Sequence, residues 1–342
     1  MDLFRKMFGK TSEEATDKEV VKSQKPVVIE QPEIIASIEN TEPVSDVEGI
    51  DPTTQPVSVP PPTPKAPSQQ IISDYVTQQL ASDMLTTTNS SYIIFGQSSD
   101  VGLVRSNNQD ATMSFFFTSA TADERPDFGV FIVADGMGGH HDGEKASALA
   151  AKTVTNHLIQ NVFMPILTGN SDVPPISEMM VTAVQKANSE IIKYVPEGGT
   201  TVTAVSVLGD LAYIAHVGDS RAYLITKDNI EQITRDHSLV QRLIELDQIT
   251  QDEVHDHPQK NVLYRALGQN DSVEVDISTR RLPHNSRVLI CSDGLWGLIN
   301  EKDLFEIAMN NQDPQQACEK LVALANSNGG TDNITIVLLK IS

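Results

Sequence analysis

Residues 131–143 read FIVADGMGGHHDG, and this stretch decides how the rest of the sequence is interpreted. An apolar run typical of a buried strand leads directly to one carboxylate, Asp135, and then to a glycine-rich turn with two adjacent histidines. Carboxylate and carbonyl oxygens suit Mg²⁺ or Mn²⁺, and glycine lets the backbone approach an ion closely. Taken alone, such a segment is more often a plain structural turn, so other parts of the chain must decide.

The composition excludes several classes of protein. Among 342 residues, 46 acidic and 25 basic side chains give a formal charge of −21, which argues against nucleic acid and anionic membranes as partners. Cys291 and Cys318 form no CxxC pair, so neither a disulfide framework nor a thiolate zinc site is expected. The sequence has no apolar run long enough for a membrane span and no signal-peptide segment at its start, which predicts a soluble, cytoplasmic protein.

Residues 1–90 are predicted to be a disordered, proline-rich, acidic tail. Ten of the 18 prolines fall before residue 68, and the first 91 residues carry 14 acidic and 7 basic side chains. Such a segment cannot bury enough apolar surface to offset the entropy lost on ordering. A short helix over residues 71–84 is expected to lead into the folded domain, which is predicted to span residues 91–342.

From residue 92 onward, short apolar runs separated by turns predict a sheet-rich domain. Strands are expected at residues 93–97, 111–117, 128–134, 201–208, 212–216, 222–226, 273–278, 287–291 and 334–340. Helices are expected at residues 144–161, 176–194, 239–246, 301–309 and 314–326. Strands in runs and helices in pairs favour an α+β layered domain over alternating βαβ units.

Three more aspartates lie next to predicted strands, as Asp135 does. Asp293 follows an apolar strand and precedes a glycine, whereas Asp332 and Asp110 come just before strands. Carboxylates clustered at one edge of a sheet repel each other, and their pKa values would rise unless a cation lay among them. Because the chain has neither a thiolate pair nor HExxH, this oxygen-rich set indicates Mg²⁺ or Mn²⁺ rather than zinc.

Seven short motifs occur in this part of the chain. They are RSNNQD at 105–110, ADGMGGH at 134–140, GTT at 199–201, VGDSR at 217–221, TRDHS at 234–238, SDGLW at 292–296 and GTDN at 330–333. Together they resemble the metal-dependent protein phosphatase 2C family, bacterial type, in the family's own order. The resemblance implies a four-layer α-β-β-α sandwich of two antiparallel sheets flanked by helix pairs. It also implies hydrolysis of phosphoserine and phosphothreonine on proteins.

The resemblance further implies a site with two Mn²⁺ or Mg²⁺ ions. By position, Asp135 would bridge both ions, and the backbone carbonyl of Gly136 would bind one of them. Asp293 and Asp332 would hold the other ion, while Asp110 would act through metal-bound water. A water bridging the two ions would lose a proton near neutral pH and attack phosphorus in line. Activity should then depend steeply on a divalent cation.

Four other positions carry roles by resemblance. Arg105 has a guanidinium fork suited to two phosphate oxygens, although a lone arginine is often a surface ion pair. Asp219 matches the ligand of a third ion seen in bacterial members, and its alternative is an ordinary hairpin turn. His140 stands where a histidine could protonate the leaving group, a task that metal-bound water could also perform. Asn333 would orient the neighbouring Asp332.

Residues 236–268 match the flap that borders the cleft in bacterial members, with a non-catalytic surface insertion as the alternative. Trp296 is interpreted as core packing. The expected partners are phosphorylated proteins, including a serine/threonine kinase or its substrates, and the chain is expected to be a monomer. Two other functions remain open, namely a catalytically silent phosphatase-like binding module and a scaffold that docks partners through its proline-rich tail.

Overall fold

The computed structural model describes residues 93–118, 127–138, 142–170, 174–250, 253–254 and 257–342. The predicted tail, the helix expected over residues 71–84, and His140 lie outside these described residues. The strands are β1 (Ile93–Asp100), β2 (Asp110–Phe117), β3 (Phe128–Gly138), β4 (Gly198–Thr200), β5 (Val202–Leu208), β6 (Leu211–Val217), β7 (Arg221–Ile225), β8 (Ile230–Gln232), β9 (Asp276–Arg281), β10 (Arg287–Cys291) and β11 (Ile334–Ile341). The α-helices are α1 (Asp142–Leu158), α2 (Met164–Thr168), α3 (Ile176–Tyr194), α4 (Leu239–Glu245), α5 (Asp293–Trp296), α6 (Glu301–Asn310) and α7 (Pro314–Ser327).

The strands form two antiparallel sheets. One sheet has the order β1-β11-β10-β7-β8, and the other has the order β2-β3-β5-β6-β9, with β4 paired to the end of β3. The seven motifs fall at the end of β3, in β4, just after β6, β8 and β10, and just before β2 and β11. This arrangement brings residues from distant parts of the chain to one end of the sheets.

Three apolar clusters separate the layers. The cluster between the sheets contains Phe131 of β3 and Ile290 of β10. Their neighbours Ile132 and Leu289 point the other way, the first toward α1 and α3 and the second toward α6 and α7. Because successive side chains of a strand face opposite sides, each continuous apolar run serves two cores. The predicted four-layer α-β-β-α sandwich is confirmed.

The helix predicted over residues 144–161 is interrupted. The structure ends α1 at Leu158, continues through a π-helical turn over Ile159–Phe163, and enters α2. The side chain of Asn161 donates to the carbonyl of His157 at 2.8 Å, which competes with the regular backbone bond. Pro165 lacks an N–H and lies in the first turn of α2, which also breaks the regular ladder.

The strand predicted at residues 273–278 is shifted in the structure, where β9 spans Asp276–Arg281. Its register is set by pairing with β6, in which Leu211 lies opposite Arg281. Val273, which looked like the start of the strand, is buried in the cluster beside α1 and α3. The short elements β4, β8 and α5 were not predicted, because three or four residues carry too little periodicity.

Among the described residues, none of the helices combines the length and the apolar character needed to cross a bilayer.

Candidate active site

Five aspartates named from the sequence lie at one end of the sandwich. Asp110 begins β2 and lies directly opposite Asp135 of β3 in the antiparallel register. Asp293 is the first residue of α5, Asp332 precedes β11, and Asp219 lies in the turn between β6 and β7. Apart from Asp110, these aspartates line one open cavity of about 220 Å³. Strand pairing therefore assembles residues that are up to 222 positions apart, from 110 to 332.

Most carboxyl groups of this cluster have pKa values above their ordinary range. Loss of bulk water is the main cause for Asp110, whose pKa rises to about 7. Burial, followed by repulsion from Asp332, raises the pKa of Asp293 to about 6. Burial and the neighbouring carboxylates raise the pKa values of Asp135 and Asp219 well above the usual range.

One carboxylate oxygen of this cluster lacks a hydrogen-bond partner. Ser292 donates its hydroxyl to Oδ2 of Asp110 at 2.7 Å. Oδ1 of the same carboxylate is buried and has no hydrogen-bond partner among the described residues. Such an oxygen is unfavourable unless a cation or a water approaches it. This oxygen and the surrounding carboxylates fit Mn²⁺ or Mg²⁺, which prefer oxygen ligands.

Gly136 brings the backbone to the wall of the cavity. A Cβ atom at this position would lie 2.2 Å from the carbonyl oxygen of Gly143 and 2.5 Å from that of Gln109. The N–H of Gly136 also donates to the carbonyl of Gln109 at 3.1 Å. Only glycine therefore allows Gly143 of α1 and Gln109, the residue before β2, to pack this closely against the end of β3.

The carboxylates do not form a closed cage. Within the described ranges, no three acidic, imidazole or thiol side chains converge closely enough to enclose one ion. Arg105 instead pairs with Asp332, with Nη2 lying 2.5 Å from Oδ2, and their side chains are 50% and 27% exposed. The guanidinium is therefore held at the cavity by one of the carboxylates that line it.

Asn333 connects three segments beside Asp332. Its Oδ1 accepts from the N–H of Gln109 at 2.7 Å, and its Nδ2 donates to the carbonyls of Val101 and Asn107 at 3.0 and 2.9 Å. Its own N–H donates to Oδ1 of Asp332 at 2.9 Å. Asn333 therefore fixes the loop before β2 and orients the neighbouring carboxylate at the same time.

The turn that carries Asp219 is held from several sides. The N–H of Gly218 donates to Nδ1 of His237 at 3.0 Å, and Nε2 of that ring faces Asp276 at 3.2 Å. The indole N–H of Trp296 donates to the carbonyl of Asp219 at 3.0 Å. The interpretation of Trp296 as core packing is therefore incomplete, since its ring packs against the α6–α7 core and also supports this turn.

The segment 236–268 reaches the cavity. Its residues Asn261 and Leu263 line the cavity together with the carboxylates, and α4 forms part of the same segment. Residues 251–252 and 255–256 of this segment, like His140, lie outside the described residues.

The sequence of the chain matches the profile of protein phosphatase 2C over residues 104–325. The chain belongs to the protein phosphatase 2C family. It is 34% identical to the serine/threonine phosphatase stp of Listeria innocua over 247 residues, which cover 70% of this chain and 93% of that protein. It is 33% identical to the protein phosphatase PhpP of Streptococcus pneumoniae over 248 residues, covering 71% and 95% of the two chains.

Solved structures of protein phosphatases agree with this assignment. The Mycobacterium tuberculosis serine/threonine phosphatase PstP/Ppp matches with a TM-score of 0.60 at 31% identity, covering 73% of this chain and 99% of that one. The catalytic domain of PstP in complex with two manganese ions matches with a TM-score of 0.58 at 30% identity, covering 73% and 98%. The resemblance inferred from the seven motifs is confirmed, and the protein is a serine/threonine phosphatase of the 2C type. The expected cofactor class is also confirmed, because the family depends on manganese or magnesium.

Two residues of this protein phosphatase 2C site were missed by the reasoning from sequence. Ser292 holds Asp110, and Oγ1 of Thr201 accepts from the N–H of Asp135 at 2.9 Å. Both residues belong to motifs that carried the resemblance. The available signal was their position, because Ser292 directly precedes Asp293 and Thr201 directly precedes β5. Their hydrogen-bond partners, however, lie 66 or more positions away in the sequence.

Proposed function

We propose that this phosphatase hydrolyses phosphoserine and phosphothreonine on proteins with two Mn²⁺ or Mg²⁺ ions, and that it opposes a serine/threonine kinase. The observation that carries the proposal is the group of carboxylates at one end of the sandwich, in which Oδ1 of Asp110 is buried without a donor among the described residues. Among the described residues that line the cavity, Arg105 is the single basic side chain. The protein thus supplies too little positive charge for this cluster, and divalent cations would balance it.

The residues proposed to hold the ions are those that the family resemblance assigns. Asp135 would bridge the two ions, and the carbonyl of Gly136 would contribute one oxygen. Asp293 and Asp332 would serve the other ion, and Asp110 would bind through water. When bound, such a pair of ions supplies a water that is activated near neutral pH and attacks phosphorus in line. Asp219 would hold a third ion.

Two residues of the chain would act on the substrate itself. Arg105, released from Asp332, would bind two oxygens of the phosphate and orient it for in-line attack. His140 stays a prediction as the acid that protonates the departing serine or threonine oxygen. Asn333 would act indirectly, by holding Asp332 and the loop of residues 101–109 in place.

The division of the chain also stays a prediction. Residues 91–342 would form the catalytic domain, with 236–268 as its flap, and residues 1–90 would recruit partners without contributing to turnover. Deleting residues 1–90 should leave the rate on a phosphopeptide unchanged while altering which phosphoproteins are bound. A lost rate would contradict this division. Size-exclusion chromatography with light scattering would test the proposed monomer.

The main test is hydrolysis of phosphoserine and phosphothreonine peptides as Mn²⁺ is titrated into chelated protein. Phosphate release should rise from background with added Mn²⁺, and Asp293→Asn should require more metal and release less phosphate. Calorimetric Mn²⁺ binding without phosphate release would instead support the catalytically silent binding module. Full turnover after exhaustive chelation would contradict the role of the metal.

A further inference from the structure

The described residues contain seven large apolar side chains that are exposed, and their distribution is uneven. The two most exposed are Leu103 at 69% and Val104 at 68%, and they immediately precede Arg105 of the cavity. A third, Val262, is 45% exposed and lies between two residues of the flap segment that line the cavity. Exposed apolar residues that lie beside a site commonly mark a contact surface.

The apolar pair is presented on a fixed loop. Gly102 has a φ of +79°, and a Cβ atom there would lie 2.3 Å from the carbonyl oxygen of Asp332. The N–H of Leu103 donates to the carbonyl of Gly330 at 2.7 Å. The N–H of Gly102 donates to Asp100 at 2.8 Å. The backbone of this loop is therefore tied to the segment that carries Asp332, and its apolar side chains are held toward solvent beside the cavity.

The chemistry of the cavity limits what can contact this pair. Arg105 is the single basic side chain among the described lining residues, and its proposed role is to bind the phosphate. The other charged residues that line the cavity are aspartates. Among the described residues that line the cavity there is thus no second cation for an acidic residue of a substrate, whereas the adjacent Leu103 and Val104 offer apolar area. Burying apolar surface favours association without any charge.

We propose that Leu103 and Val104 bind an apolar side chain of the protein substrate, one to three positions from the phosphorylated serine or threonine. The inference rests on the proposed function, because it needs the phosphate to lie at Arg105. Consecutive Cα atoms are about 3.8 Å apart, so Val104 and Leu103 lie within about 8 Å of the Arg105 Cα. An extended substrate advances by a similar distance per residue. With the phosphate at Arg105, side chains one to three positions from the phosphorylated residue would therefore reach Leu103 and Val104.

The test uses phosphopeptides that are identical except for leucine or serine at one position within three residues of the phosphoserine. Wild-type protein with Mn²⁺ should show a kcat/KM about tenfold higher for the leucine peptide at one or more of these positions, the discrimination expected for a small apolar contact. Leu103→Ser and Val104→Ser together should reduce this ratio to about twofold or less. Each ratio compares two peptides on the same protein, so it is independent of the amount of active enzyme.

Controls separate a lost contact from a lost fold. Met164→Ser changes an exposed apolar residue of α2, 44% exposed, and should keep the wild-type ratio. Leu103→Ala should give an intermediate ratio. The inference would be overturned if wild-type protein hydrolysed both peptides at equal rates at every position, or if the double variant kept the full preference for leucine. In either case, hydrolysis of p-nitrophenyl phosphate by the same protein would still support the proposed function. Failure of wild-type protein to hydrolyse p-nitrophenyl phosphate with Mn²⁺ would overturn both.

Discussion

Two buried aspartates at the same end of the sandwich lie in very different electrostatic surroundings. Asp219 is 6% exposed and Asp236 is 3% exposed. Asp236 receives Nε and Nη2 of Arg221 at 3.0 and 2.7 Å and the side-chain amide of Gln232 at 2.9 Å. The pKa of Asp219, in contrast, is raised well above its usual range by burial and then by repulsion from Asp293.

The difference separates structural from functional carboxylates. The fold is able to supply a guanidinium to a buried aspartate, and it does so at Asp236. Among the described residues that line the cavity, the single arginine is the half-exposed Arg105, and it pairs with Asp332. A carboxylate that the protein leaves without a cation is where an added cation stabilises most. Replacing the paired Asp236 should therefore destabilise the fold, whereas replacing a carboxylate of the cavity should not. Added metal should stabilise the protein through the carboxylates of the cavity.

Asp135→Asn should have the largest effect on activity. This variant keeps the shape of the side chain but removes the charge that would bridge two ions. Loss of a residue that merely supports a metal ligand costs about 10- to 100-fold, so loss of the bridging ligand should cost more than about a hundredfold in kcat/KM. The rate is measured on a phosphopeptide with saturating Mn²⁺. Asp210→Asn, at an exposed carboxylate, is the matched control and should keep the wild-type rate.

Asp236→Asn should have the largest effect on stability. Its partner Arg221 has a side chain that is only 13% exposed, so removing the carboxylate leaves a buried, unpaired cation. Breaking such a pair costs about 3–5 kcal/mol of unfolding free energy. Urea denaturation in the presence of EDTA should show this loss, whereas Asp135→Asn under the same conditions should be as stable as wild type or more so. Equal destabilisation of both variants would contradict the comparison.

In the metal-free protein, the carboxyl groups at the cavity should make the free energy of unfolding decrease as pH rises. The pKa values of Asp110 and Asp293 are raised to about 7 and about 6, from an ordinary value of 3.8. Between pH 4 and pH 7 or so, the folded state therefore binds protons that the unfolded chain has released, so stability falls as pH rises. The urea midpoint in EDTA should decrease across this range. Asp110→Asn should flatten the decrease, and excess Mn²⁺ should remove it. A midpoint that rises with pH in EDTA would contradict the raised pKa values.

The sequence predicted some features of this comparison and not others. Strand ends are visible because an apolar run such as that before Asp135 stops at a charged residue, and the layers follow from the order of strands and helices. The sequence did not distinguish Asp236 from Asp219, since the partner of Asp236 lies 15 residues away across the hairpin. Pairing of β7 with β8 decides which carboxylate meets the arginine, and pairing of β6 with the distant β9 set the shifted register of β9.

The smallest effect is expected at another arginine–carboxylate pair, which joins the residue just before the flap segment to α4 within it. Arg235 binds Glu245 through two hydrogen bonds, and this lowers the pKa of Glu245 to about 2. The side chains are nevertheless 48% and 26% exposed, so water screens the attraction and the pair should contribute no more than about 1 kcal/mol. A lowered carboxyl pKa stabilises above the unfolded value of 4.5 and is lost as pH falls toward 2. Glu245→Gln should therefore shift the urea midpoint slightly at neutral pH and not at all in strong acid. A loss comparable to that of Asp236→Asn would mean that burial does not distinguish the two pairs.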